Sequence, residues 1–147
     1  MFVSQKCQYA LRAVFELAKC YGKGPVKIAE VAKAQAIPPR FLEVILNEMK
    51  QANFIESRRG NEGGYLMARD PRNLTIGEVI RLIQGPVTAV GCTGGNTSCR
   101  LYGECVFLPM WKKVERSISE VYDETTFQDL VDQEREKNRG MPHMYSI

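Results

Sequence analysis

Two short helix-periodic segments joined by a tight break, a β-prone pair around a charged Gly-rich tip, and a late amphipathic helix predict a mainly α chain with one small β-hairpin. In fold terms this is a winged helix-turn-helix followed by a helix that needs a partner. Ser4 can cap the first helix, in which Ala10, Val14, Leu17, Ala18 and Tyr21 recur at helical spacing; Gly22, Gly24 and Pro25 end it, which gives about residues 4–21. The second helix fits "VKIAEVAKA", with Ile28, Val31 and Ala32 turned inward. After the break at "AIPP", a third runs from Pro39 to about Gln51 with Leu42, Ile45, Leu46 and Met49 on its buried face. "FIESRRGNEGGYLMAR" then reads as a hairpin whose loop is longer than two residues.

Pro71 interrupts the chain, and "TIGE" supplies a capping box in which Thr75 covers first-turn amides while Glu78 reaches back, so a fourth helix follows over about 76–84. Pro109 can start another, along which Met110, Trp111, Val114, Ile118, Val121 and Tyr122 form an apolar stripe. A stripe of that length late in a chain fits pairing with a second copy, giving a two-fold homodimer. "TTFQDLVDQ" reads as one more short helix and "EREKNRGMPHMYSI" as a polar tail. The expected organisation is a winged helix-turn-helix domain over 1–84, a cysteine-rich loop over 85–108, dimerisation helices over 109–135 and the tail over 136–147.

The chain has 147 residues, 44% hydrophobic and 25% charged, which fits one globular domain with an appended helical arm. Apolar runs fall far short of the roughly 20 residues needed to cross a bilayer, and the opening lacks the basic start and apolar middle of a secretory leader. The expectation is a cytoplasmic protein with no membrane partner. Residues 1–82 carry 13 Lys and Arg against 8 Asp and Glu, whereas residues 83–147 carry 7 against 9, so the basic part comes first and suits a polyanion. Five cysteines cannot all close into internal disulfides, and three of them stand in "GCTGGNTSCRLYGEC", as Cys92, Cys99 and Cys105. In a reducing compartment that pattern points to bound metal or thiol redox chemistry.

A helix fits the major groove of DNA while an arginine-bearing hairpin tip lies along the backbone or enters the minor groove. The buried set of the third helix leaves Arg40, Phe41, Glu43, Val44 and Asn47 outward; Arg40 can meet guanine or phosphate, and Glu43 can accept from a cytosine amine. At the hairpin tip Arg58 and Arg59 precede glycines that let backbone approach DNA closely. Solvated surface charge is the plain alternative for each residue alone. An enzyme or electron carrier fits poorly: there is no second cysteine group, no supported Ser/His/Asp or Cys/His set and no phosphate-binding glycine loop.

Several stretches together resemble the winged-helix regulators of the IscR, NsrR and CymR type: "YALRAVFELA", "PPRFLEVILNEMKQANFIESRRGNEGGYLMARDP", "LTIGEVIRLI" and the cysteine loop before a helix bearing Trp111. The likeness runs over about residues 2–133. It implies a DNA-binding transcriptional regulator acting on double-stranded operator DNA, with Arg40, Phe41, Glu43, Arg59 and Gly60 where family members touch DNA and Gly63, Gly64 and Tyr65 shaping the hairpin. It also implies an iron–sulfur cluster, [2Fe–2S] or [4Fe–4S], held by Cys92, Cys99 and Cys105. Gaps of six and five residues with Gly94, Gly95 and Gly103 give room to wrap one, whereas structural zinc sites usually show more closely paired cysteines. The positions from which family members supply a fourth ligand hold Leu108 and Gln8 here, and His143 lies in the tail, so the fourth ligand is unassigned. Cys7 and Glu104 are the nearby substitutes, with Cys7 read, like Cys20, as a core-facing small hydrophobe. The competing reading keeps the DNA-binding domain and makes the three thiols a metal-free redox sensor.

Overall fold

The computed structural model describes residues 3–140. Six helices surround one two-stranded hairpin: α1 (Gln5–Lys19), α2 (Ile28–Gln35), α3 (Pro39–Gln51), β1 (Ile55–Arg58), β2 (Gly64–Met67), α4 (Ile76–Gln84), α5 (Leu108–Glu124) and α6 (Phe127–Gly140). The expected fold class, mainly α with a small hairpin wing, is what the chain adopts.

The core is built on α1, which packs against α2, α3, α4, α6 and β2. Ser4 caps it by accepting from the Cys7 N–H at 3.1 Å, and Cys7, Ala10, Ala13, Val14, Leu17 and Ala18 form its buried face. Small residues at Ala10 and Ala13 bring neighbouring helices close, and Leu17 fills the centre with Leu42, Ile45, Leu46 and Met49 from α3. The helix ends two residues earlier than its periodicity indicates, so Tyr21 lies beyond the last turn and is 47% exposed rather than buried.

Between α2 and α3 the chain turns through Ala36, whose backbone is left-handed at φ 52°, while the Ile37 N–H closes back onto the Ala32 carbonyl at 2.9 Å. Pro38 and Pro39 then start α3, where missing N–H groups cost nothing in the first turn. The far end of α3 closes in a Schellman arrangement: the Phe54 N–H donates to the Met49 carbonyl at 3.0 Å, the Asn53 N–H to that of Lys50 at 3.0 Å, and Asn53 is left-handed at φ 62°. That reversal aims the chain directly into β1 and so fixes the hairpin relative to α3.

The hairpin is antiparallel in the register Ile55↔Met67 to Arg58↔Gly64, leaving a five-residue tip over 59–63. It is anchored by a further bridge in which Val26 and Tyr65 exchange two backbone hydrogen bonds of 2.8 Å each. Gly64 stands against the Val26 carbonyl so closely that an added Cβ would collide with backbone. A side chain there would therefore force the wing away from the body.

The capping box of α4 forms as expected: the Glu78 N–H donates to the Thr75 hydroxyl at 3.2 Å and the Thr75 N–H to the Glu78 carboxylate at 2.9 Å. Gly77 lies against the Asp123 carboxylate, leaving no room for a Cβ and letting α5 approach α4 closely. Arg81 then holds Asp123 through two hydrogen bonds of 2.7 Å. This pairing holds the Asp123 carboxyl below its ordinary range and raises the Arg81 guanidinium.

Residues 136–140, which composition assigns to a polar tail, continue α6 in regular helix; the rest of that segment, His143 included, lies outside the described residues. The reason is tertiary. Phe127 and Val131 are buried in the α1 core, the Phe127 N–H donates to the Leu74 carbonyl at 3.1 Å, and Lys19 ion-pairs Glu134 at 3.5 Å. A helix held in three places carries its polar end with it. α5 has no fully buried residue, and its Met110, Val114 and Val121 face solvent. Among the described residues no helix is long and apolar enough to cross a membrane.

Candidate nucleic-acid interface and cysteine loop

α3 is docked by one face and free on the other. Leu42, Ile45, Leu46 and Met49 are buried at helical spacing, which leaves Arg40, Phe41, Glu43, Val44 and Asn47 on the exposed side. Among the described residues Arg40, Glu43 and Arg59 make no ion pair or side-chain hydrogen bond, so nothing within the fold engages these charges. At the hairpin tip Arg58, Arg59 and Gly60 are exposed, Gly60 being left-handed at φ 104°, and Arg58 lies 3.8 Å from Glu56 on its own strand. The structure thus brings Arg40, Phe41 and Glu43 onto one helix face and Arg58, Arg59 and Gly60 onto one tip.

Sequence reasoning missed the prop beneath α3. Tyr9 of α1 meets the Phe41 ring at a centroid distance of 6.3 Å, and the Arg12 guanidinium lies over Tyr9 at 5.0 Å. The signal was available as aromatic and cationic residues on the first helix, but nothing in their spacing says that they reach the third.

The cysteine loop leaves α4 at Gly85, makes one 3-10 turn over Gly91–Gly94 and reaches α5 at Leu108. Cys92 sits half-buried on that turn, Cys99 is exposed, and Cys105 is half-buried, with its carbonyl accepting from the Leu108 N–H at 3.3 Å. Glu115 of α5 ties the first part of the loop down: the Ala89 N–H donates to its carboxylate at 2.5 Å, and the Thr93 hydroxyl contacts the same oxygen. Glu115 was not singled out in the sequence, yet it is the side chain that joins the Cys92 segment to α5.

Three thiols suit iron and sulfide chemically. The described arrangement does not assemble them: among the described residues no three His, Cys, Asp or Glu side chains come together as a metal-ligating group. Cys7 offers no remedy, being fully buried in the α1 core, where burial pushes its thiol up and away from the thiolate form.

Comparison with known proteins gives the frame for these faces. The family model described as "Iron-dependent Transcriptional regulator", Rrf2, matches residues 3–133. The chain belongs to the Rrf2 family. It is 30% identical over 130 residues to the HTH-type transcriptional regulator CymR of Bacillus subtilis, covering 88% of this chain and 89% of the relative. Among solved structures, T. potens IscR superposes with a TM-score of 0.79 at 31% identity, covering 99% of this chain and 96% of that one. The structure of CymR, the global cysteine regulator of B. subtilis, does so with a TM-score of 0.78 at 27% identity, covering 90% and 98%. The Rrf2 family and these relatives are transcriptional regulators, so the chain is a regulator and not an enzyme.

Proposed function

We propose that this Rrf2 chain is a cytoplasmic, two-fold dimeric regulator that presents α3 and the wing to double-stranded operator DNA and adjusts its affinity through the cysteine loop. The observation that carries the reading is the split character of α3, buried at every helical repeat and bearing free Arg40 and Glu43 on the other side. A helix that presents charge without an internal partner is ready for an external one, and duplex DNA supplies both phosphate and base edges. The dimer reading is supported by the large apolar side chains left exposed on the loop and on α5, namely Leu101, Val106, Phe107, Met110, Val114 and Val121; Val106 is 84% exposed.

Arg59→Ala is expected to weaken operator binding without unfolding the chain, because the arginine stands on an exposed tip. Affinity measured against salt checks it, and the slope should fall by about 1 for each lost phosphate contact. An unchanged affinity and slope would remove the wing from the interface. Glu43→Ala is expected to relax sequence preference by about 1–3 kcal/mol at one base pair while sparing non-specific binding. Competition with scrambled duplex decides, and equal weakening on every sequence would assign Glu43 no base contact.

For the loop, the donor chemistry of Cys92, Cys99 and Cys105 supports an iron–sulfur cluster, which requires the loop to draw the three thiols together and leaves a fourth ligand to be found. A metal-free thiol sensor is favoured by a separate observation, the exposure of Cys99. Anaerobic purification with iron, sulfide and zinc analysis beside an absorption spectrum separates the two. Matched iron and sulfide with visible absorption supports the first, and oxidant-dependent loss of free thiols without iron supports the second.

A further inference from the structure

The free face of α3 carries two exposed large apolar side chains among its polar ones. Phe41 is 60% exposed and Val44 is 54% exposed, while the other large apolar residues of the same helix are essentially fully buried. Three residues apart, they share one stripe of helix surface and lie between Arg40, Glu43 and Asn47. The Phe41 ring is held against Tyr9, so the pair is presented and not loose. Beside them lies a shallow apolar depression of about 410 Å³ lined by Gln5, Lys6, Tyr9, Phe41, Val44 and Ile45. Its rim carries Lys6, paired to Glu48 at 2.6 Å, and the neighbouring Arg40 has no partner among the described residues. An apolar patch flanked by one unpaired cation, Arg40, and one unpaired carboxylate, Glu43, fits a surface that offers phosphates, amine donors and apolar groups together.

We propose that Phe41 and Val44 read the C5-methyl groups of thymines in the major groove; this rests on α3 being the helix that enters that groove. Thymine is the only standard base whose major-groove edge carries an apolar group. Against any other base, Val44 would strip water from a donor or acceptor and return nothing, a cost that desolvation imposes without repayment. Against thymine the same side chain buries a methyl. The pair therefore selects thymine, and it complements Arg40 and Glu43, whose charges address guanine and cytosine. Each methyl contact is worth about fourfold in affinity, the equivalent of one buried carbon.

The test uses duplexes recovered from a random library by the full chain, resynthesised with uracil at each thymine of the recovered motif in turn. Uracil keeps the hydrogen-bonding edge and lacks the methyl. At one or two positions per half-site, uracil should weaken wild-type binding about fourfold. Val44→Ala should weaken binding to the thymine duplex by a similar factor and abolish the thymine–uracil difference at its position. Arg59→Ala should weaken both duplexes alike and keep that difference, which controls for any change in duplex flexibility. Equal wild-type affinity for thymine and uracil at every position overturns the proposal while leaving DNA binding standing. So does a Val44→Ala effect that is the same on both duplexes. Recovery of no sequence by the wild-type chain overturns the DNA-binding reading itself, and this proposal with it.

Discussion

Alanine at Cys92, Cys99 and Cys105 together is expected to leave the protein folded and able to bind its operator, but with an affinity that no longer changes on treatment with oxidant or with iron and sulfide. Folding should survive because none of the three belongs to the buried core, and Cys99 is exposed. The response should vanish because the loop joins α4 to α5 in sequence, and Glu115 carries the position of the Cys92 segment directly to α5. Coupling between two sites is typically worth about 5- to 150-fold in affinity, so that is the change the wild type should show and the triple variant should lose. Fluorescence anisotropy on a labelled operator, before and after treatment, measures it, with Cys20→Ala as the variant expected to keep the response. A triple variant that still responds would move the sensor elsewhere.

Phe127→Ala is the substitution expected to cost the most stability. The ring is fully buried where α6 meets the core, and the backbone N–H of Phe127 donates to the Leu74 carbonyl while that of Ile76 donates to the Thr125 carbonyl at 3.0 Å, so the start of α6 and the start of α4 are laced together there. Truncating a buried aromatic costs about 3–5 kcal/mol, a large share of the roughly 5–15 kcal/mol that a domain has in total. A thermal melt followed by circular dichroism should drop by roughly 6–20 °C. A drop of only a degree or two would mean that α6 contributes little to the fold.

What could be read from the sequence was local. Ser4, the Pro39 start and the Thr75–Glu78 box each act within one helical turn, so α1, α3 and α4 were legible almost to the residue. The outward set on α3 followed from the same periodicity. What stayed hidden depended on distant parts of the chain. The Val26–Tyr65 bridge joins residues 39 apart, and polar α6 is helical to Gly140 because Phe127, Val131 and Glu134 dock on α1. Asn53 gave a weak clue, since asparagine tolerates the left-handed turn it makes. The cysteines show the limit most clearly: their spacing tells what they could wrap around, and only the path of the backbone tells whether they form a ligating group, which among the described residues they do not.

The Arg81–Asp123 clasp has a bearing on how such a scaffold can be rebuilt. It fastens α4 to α5 outside the intervening segment 85–107, so the two helices do not depend on that segment to find each other. The cost of spanning a gap whose ends are already pinned grows only with the logarithm of its length, about 0.6 kcal/mol for each doubling. A segment of different length and different donor atoms can therefore be transplanted between the same two helices with little penalty to the rest of the molecule. The clasp makes the segment 85–107 an interchangeable cassette, and the helices on either side of it a chassis that tolerates its replacement.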